Sequence, residues 1–133
     1  MVLRYALLLV ASCALIACSS NQEPKMNSAA SALTKLTAHV DASVVYGTGA
    51  KDLSDQQLID KALDDNPSVK SELGSNAITL QRGERGVVVL VCSSDRATSL
   101  LEDLSCTPEM DKHHWREEPG RFCTFSLTPE SCK

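Results

Sequence analysis

Two groups of side chains in this 133-residue chain have the types that chemistry needs: the cysteines Cys92, Cys106, Cys123 and Cys132, and the run His113, His114, Trp115, Arg116 between the second and third of them. Cysteines exchange thiols, hold zinc or form structural disulfides, and spacing separates these roles. Thiol-exchange centres use Cys-x-x-Cys, and zinc knuckles are as tightly spaced. Here the closest pair, Cys123 and Cys132, is nine positions apart, so structural disulfides are the expectation.

His113 and His114, with Cys106, Glu109 and Asp111 nearby, invite a metal site. Adjacent residues on a helix point about 100° apart, however, and a zinc-binding helix uses positions i and i+4. A solvated helix end suits these histidines better, and no metal ligands are assigned. Trp and Arg are enriched in binding hot spots, which makes His113, His114, Trp115 and Arg116 the candidate binding surface. The competing role for Trp115, the only tryptophan, is as a core residue. No Ser–His–acid arrangement has local support. The glycine-bearing stretches at 47–51 (GTGAK) and 83–86 (GERG) lack the strand–loop–helix order of a phosphate loop. No catalytic residue, cofactor or small-molecule ligand is therefore inferred.

The N-terminus carries a different signal. Arg4 precedes a short apolar run at 5–17 (YALLLVASCALIA), which closes on Leu15, Ile16, Ala17 and Cys18. The run is shorter than the roughly 20 residues of a membrane-spanning helix and ends in small residues, as secretion signals do. The last four residues resemble the lipobox of bacterial lipoproteins. That resemblance implies cleavage before Cys18 and diacylation of its sulfur, and Ser19 in the next position implies an outer-membrane destination. The domain would then face the periplasm, or alternatively the cell surface. Residues 1–17 are read as the signal peptide, 18–28 as a polar tether and 29–133 as one domain.

Losing Arg4 with the signal leaves 12 of the 13 Lys and Arg against 17 Asp and Glu, a formal charge of −5. This disfavours nucleic acid, which needs a basic face. Cys13 also departs with the signal and Cys18 is occupied by lipid. Four cysteines remain, an even number that in an oxidising compartment predicts two disulfides. The aromatic residues number only five, Tyr5 among them, so aliphatic packing must build the core.

The elements that would position these groups follow from periodicity. Ala29, Ala32, Leu33, Leu36, Val40 and Val44 predict an amphipathic helix over about 27–42. Ser54 and Gln57 form a capping box for a helix over about 55–64, and Asn66–Pro67 opens a short one that Gly74 stops. Ala77 to Leu80 and Val87 to Val91 predict a hairpin around 82–86, and the unbroken apolar second strand must be central. Ala97, Leu100, Leu101 and Leu104 read as another helical stripe, Thr107–Pro108 as the cap of a turn running to Trp115, and Phe122 to Leu127 as a final strand. The sum is α+β: a small two-layer domain with about three strands covered by helices and stapled by two disulfides.

With a helix after Cys92 and a parallel final strand, the nested pairs Cys92–Cys132 and Cys106–Cys123 are preferred. Cys92–Cys106 with Cys123–Cys132 is the alternative. The function expected on these grounds is that of a non-enzymatic, lipid-anchored envelope protein. It would meet the membrane through its N-terminal lipid and bind another envelope protein, as an accessory subunit of an envelope machine or an inhibitor or immunity protein. Two alternatives stand beside it: a small envelope hydrolase or metal-dependent enzyme using His113 and His114, and a structural, peptidoglycan-associated lipoprotein.

Overall fold

The apolar run beginning at Val87 forms a strand in which every residue is buried. Side chains alternate between the two faces of a strand, so each face needs its own cover. Both covers are present in the computed structural model, which describes residues 22–107, 110–111 and 121–133.

The sheet holds β1 (Ala77–Arg82), β2 (Val87–Cys92), β3 (Ser99–Leu104) and the two-residue β4 (Met110–Asp111), in that spatial order with every neighbour antiparallel. One face packs on α1 (Gln22–Tyr46), α2 (Asp55–Asp65) and α3 (Pro67–Leu73). Leu33, Leu36, Val40, Leu58, Ile59, Val69 and Leu73 meet Val87, Val89, Val91 and Leu101 there. Val88 and Leu104 point the other way, and Cys132, Phe125 and Leu127 of the C-terminal segment 121–133 cover them. This segment is a strap across the sheet. The domain is thus the expected α+β arrangement of helices on a small sheet with two disulfides.

Local chemistry explains the helix and hairpin ends. Ser54 Oγ accepts from the Gln57 amide at 3.1 Å, and the Gln57 side chain accepts from the Ser54 amide at 2.8 Å, so the capping box is complete. Pro67 occupies the first turn of α3, and Gly74 ends it with φ 57°, a conformation that glycine adopts without strain. At the β1–β2 turn the Gly83 amide donates to the Gly86 carbonyl at 2.9 Å. A Cβ at Gly86 would lie 2.5 Å from Cys132 Sγ, so the strap requires glycine at that position.

Several expectations are corrected. The stripe at 97–104 is β3, a strand antiparallel to β2 and not a helix. A register shift pairs Val91 with Leu101 and Cys92 with Ser99, leaving Leu100 as the extra residue. Both Leu100 and Leu101 then pack against the helix-side core, which is why their spacing imitated a helical period. Phe122 to Leu127 form no ladder beyond the single Thr98–Phe122 bridge. α1 begins at Gln22, so residues 22–28 of the stretch read as a tether are helical, and it continues to Tyr46.

The disulfide pairing is also corrected. Cys92 bonds Cys123 and Cys106 bonds Cys132, matching neither the preferred nested pairs Cys92–Cys132 and Cys106–Cys123 nor the sequential alternative. The cause is chain direction. Because β3 runs back along β2, Cys106 arrives at the Val87 end, where the Ser105 amide donates to the Val87 carbonyl at 3.0 Å. The strap then enters beside Thr98 at the Cys92 end and finishes beside Gly86. It runs opposite to the direction that nested pairing needs.

Candidate functional site

The segment His113, His114, Trp115, Arg116 and the lipobox cysteine Cys18 lie outside the described residues. What the structure places is the frame around the first of them. On its N-terminal side, Met110 and Asp111 pair with Asp103 and Glu102 of β3, just after Cys106 has been bonded to Cys132. On its C-terminal side, the Ser99 amide donates to the Arg121 carbonyl at 2.8 Å and the Ser99 hydroxyl to the Phe122 carbonyl at 2.7 Å. Cys123 follows at once, bonded to Cys92. Both flanks of the segment are thus fastened to one strand, three positions apart along it.

β3 also carries two carboxylates that the helical interpretation hid, because on a helix they would have faced solvent. In the strand, Glu102 shares the strap face with Leu104 and is 0 % exposed. Its carboxylate accepts from the Ser126 amide at 3.0 and 3.1 Å, the Ser126 hydroxyl at 2.6 Å and the Leu127 amide at 2.8 Å. The two amides, which a regular strand would have spent on a ladder, instead converge with the hydroxyl on one carboxylate. The signal available in sequence was a glutamate alternating with leucine in the stretch LEDL.

Asp103 points to the other face and is 6 % exposed beneath α1. Burial pushes its carboxyl above the ordinary carboxylate range, and a hydrogen bond with the Thr37 hydroxyl partly opposes this. Because the folded-state value is the higher one, the stabilising protonated form is fully present below the unfolded carboxylate range. That stability is lost as pH rises through the raised folded value. Asp103→Asn is therefore expected to raise the urea midpoint at neutral pH by an amount equivalent to about 1 kcal/mol, with the gain vanishing in acid. The Thr37 hydroxyl, which also lies 2.8 Å from the Leu33 carbonyl, can donate there and accept from the new amide once no carboxylate competes for its proton. A lowered midpoint at pH 7 would show that the charge is needed where it is.

The other polar groups knit the frame together. Ser105 donates to Asp41 of α1 at 2.8 Å and accepts from the Val87 amide at 3.0 Å. Arg82 reaches Asp55 at 2.6 Å and the carbonyls of Ala50 and Leu53 at 3.0 and 2.6 Å. It thereby ties the β1–β2 turn to the end of the 47–51 stretch, so the two glycine-bearing loops are parts of one clasp. His39 is partly buried, as its place beside the apolar stripe suggested, and lies 3.5 Å from Asp65. In the loop before β3, Asp95 accepts from Ser93 and the Ala97 amide, and these bonds hold its carboxyl below the usual range. The Thr128 hydroxyl does the same for Glu130.

A shallow groove of about 200 Å³ runs between α1 and α3, lined by Ser28, Ser31, Lys35, Ser68, Val69 and Glu72. It is smaller than the pockets that enclose small-molecule ligands, which start near 300 Å³. Among the described residues, no three His, Cys, Asp or Glu side chains are grouped to hold a metal ion.

Comparison of the chain with protein-family models, with curated proteins and with solved structures found no match. Function therefore has to be inferred from these residues alone. Two disulfides suit an oxidising, extracytoplasmic compartment. No helix among the described residues is long and apolar enough to cross a membrane.

Proposed function

We propose that the chain is a lipid-anchored, non-enzymatic protein-binding module of the bacterial envelope. Cys18 carries the lipid, Ser19 directs it to the outer membrane, and His113, His114, Trp115 and Arg116 meet the partner. The carrying observation is the frame: the segment that holds these four residues is tied to β3 on both flanks, and each tie is backed by a disulfide. A segment fixed at its ends loses less conformational entropy on docking than a free one, so more of the contact energy appears as affinity. Trp and Arg are the side chains that most often dominate such contacts. The acidic balance of the chain suits a basic partner and adds to the rate of encounter.

The test is crosslinking in the native envelope, recovery through a C-terminal tag and identification of what accompanies the protein. One stoichiometric partner is expected. Trp115→Ala should lose it at least tenfold while both disulfides remain intact, since a truncated hot spot costs about 2 kcal/mol or more. Cys18→Ser should leave the membrane fraction. Recovery of no specific partner, or full recovery with Trp115→Ala, would overturn the binding surface. A Cys18→Ser protein that stays acylated and membrane-bound would overturn the anchor.

A further inference from the structure

α1 and β3 run in the same direction. Thr37 on the helix meets Asp103 on the strand, and further along Asp41 accepts the Ser105 hydroxyl at 2.8 Å. Four helical residues and two strand residues both advance about 6 Å, so the two elements stay level. The C-terminal end of α1 therefore lies at the Val87 end of the sheet, where Arg82 reaches the Ala50 carbonyl. Its N-terminal end lies at the end of Cys92, Ser99 and Phe122. Met26 still packs against the core, so Gln22 projects only about one turn, ~6 Å, beyond it.

Phe122 is 81 % exposed at that end. Its backbone is held by the Thr98 bridge, by Ser99 and by the neighbouring Cys92–Cys123 bond. A fastened backbone presenting a bare aromatic ring is unusual in a domain that has so few aromatics for its own core. Lys25, Arg96 and Arg121 are exposed at the same end. Among the described residues the acidic ones there are Glu23 in the first turn of α1, Glu72 on α3 and Asp95, the last engaged by Ser93 and Ala97. Exposed cations also accompany Tyr46 at the other end, where Lys51, Arg85 and Lys133 lie, so what singles out this end is that α1 starts here, beside the fastened and exposed ring of Phe122.

We infer that this end of the domain rests on the membrane surface, with Phe122 entering the boundary between headgroups and acyl chains and Lys25 and Arg96 facing lipid phosphates. The inference rests on the lipid anchor proposed above. With acyl chains on Cys18, only residues 19–21 separate the anchor from α1, and at no more than about 3.5 Å per residue they keep the helix start within roughly 14 Å of the leaflet. Aromatic rings flanked by cations are the side chains that settle at such a boundary. Tyr46, 82 % exposed at the opposite end of α1, faces away from the leaflet.

The acylated full chain, purified from membranes, is reconstituted into vesicles of phosphatidylethanolamine and phosphatidylglycerol with brominated acyl chains. Phe122→Trp in a Trp115→Phe background reports one end, and Tyr46→Trp in the same background reports the other. Intact disulfides serve as the folding control. Blue-shifted emission quenched by the brominated lipid is expected for Phe122→Trp and absent for Tyr46→Trp. Vesicle-bound protein with no quenching in Phe122→Trp, or with quenching in Tyr46→Trp, would overturn the orientation and leave the anchor standing. Acylated protein that fails to float with vesicles would overturn the anchor and this inference with it. If Phe122→Ser loses a crosslinked envelope protein and Phe122→Trp is not quenched, the ring belongs to a protein contact instead.

Discussion

Replacing Cys92 and Cys123 together by serine is expected to lower the unfolding free energy by about 3.5 kcal/mol, seen as a fall of about 1–2 M in the urea midpoint. The bond closes a separation of 31 residues, and its partner Cys106–Cys132 closes 26. Loop entropy grows only with the logarithm of length, so the two removals should cost nearly the same. A domain of this size holds about 5–15 kcal/mol in all, and either loss therefore takes a large share. The two loops overlap in sequence, so deleting both should fall short of the sum. With both bonds gone the strap keeps the hold of Thr98 and Ser99 on Arg121 and Phe122, the Glu102 hydrogen bonds and the packing of Phe125 and Leu127 on Val88 and Leu104. Proteolysis should then cut within 121–133 before it cuts the helices. An unchanged midpoint for either serine pair would show that the strap is held without that bond.

Glu102→Ala is expected to destabilise by about 3 kcal/mol, read as a lower urea midpoint with both disulfides still formed. Two terms compete. Removing a fully buried carboxylate relieves its desolvation, but it strands the Ser126 amide, the Ser126 hydroxyl and the Leu127 amide, all of which converge on that group. Hydrogen bonds to a charged acceptor contribute about 1.5–3 kcal/mol each, so three lost donors outweigh the relief. Glu102→Gln should fall between the wild type and the alanine variant. Its amide oxygen still accepts, while its NH₂ group confronts backbone N–H donors. A midpoint equal to wild type in Glu102→Ala would mean that solvent and the disulfides hold the strap unaided.

These two effects come from the part of the molecule that was hardest to read in sequence. Ser54 with Gln57, Asn66 with Pro67 and Gly74 mark helix ends through contacts within one turn, and α2 and α3 form where those residues indicate. The run from Val87 is apolar on both faces, which by itself demands a central strand. In contrast, Leu100, Leu101 and Leu104 satisfy a helical period and a bulged strand equally well, and pairing with β2 decides between them. That one choice turns Glu102 and Asp103 from solvated residues into buried ones, while the direction of the strap, from the Cys92 end to Gly86, sets the disulfide pairs.

The frame around His113–Arg116 was legible only in part. Its cysteines are plain from spacing, whereas the hold of Ser99 on Arg121 and Phe122 joins residues more than 20 positions apart and leaves no local trace. The exposure of Phe122 is equally invisible beforehand, since a phenylalanine in a domain with few aromatics reads as core.

What the sequence determined alone was the α+β class, the capped helices α2 and α3, the β1–β2 hairpin and the presence of two disulfides. The disulfides rest on an even count of cysteines, and the others on side-chain type and on spacing within about a dozen residues. Tertiary structure decided the strand at 99–104, the pairs Cys92–Cys123 and Cys106–Cys132, the burial of Glu102 and Asp103, and the end of the domain on which Phe122 is displayed. Those outcomes turn on the strand character of β3 and on which way the strap runs across the sheet. Direction is chosen by the burial of Val88 and Leu104 and by hydrogen bonds between distant residues, and no local pattern encodes it.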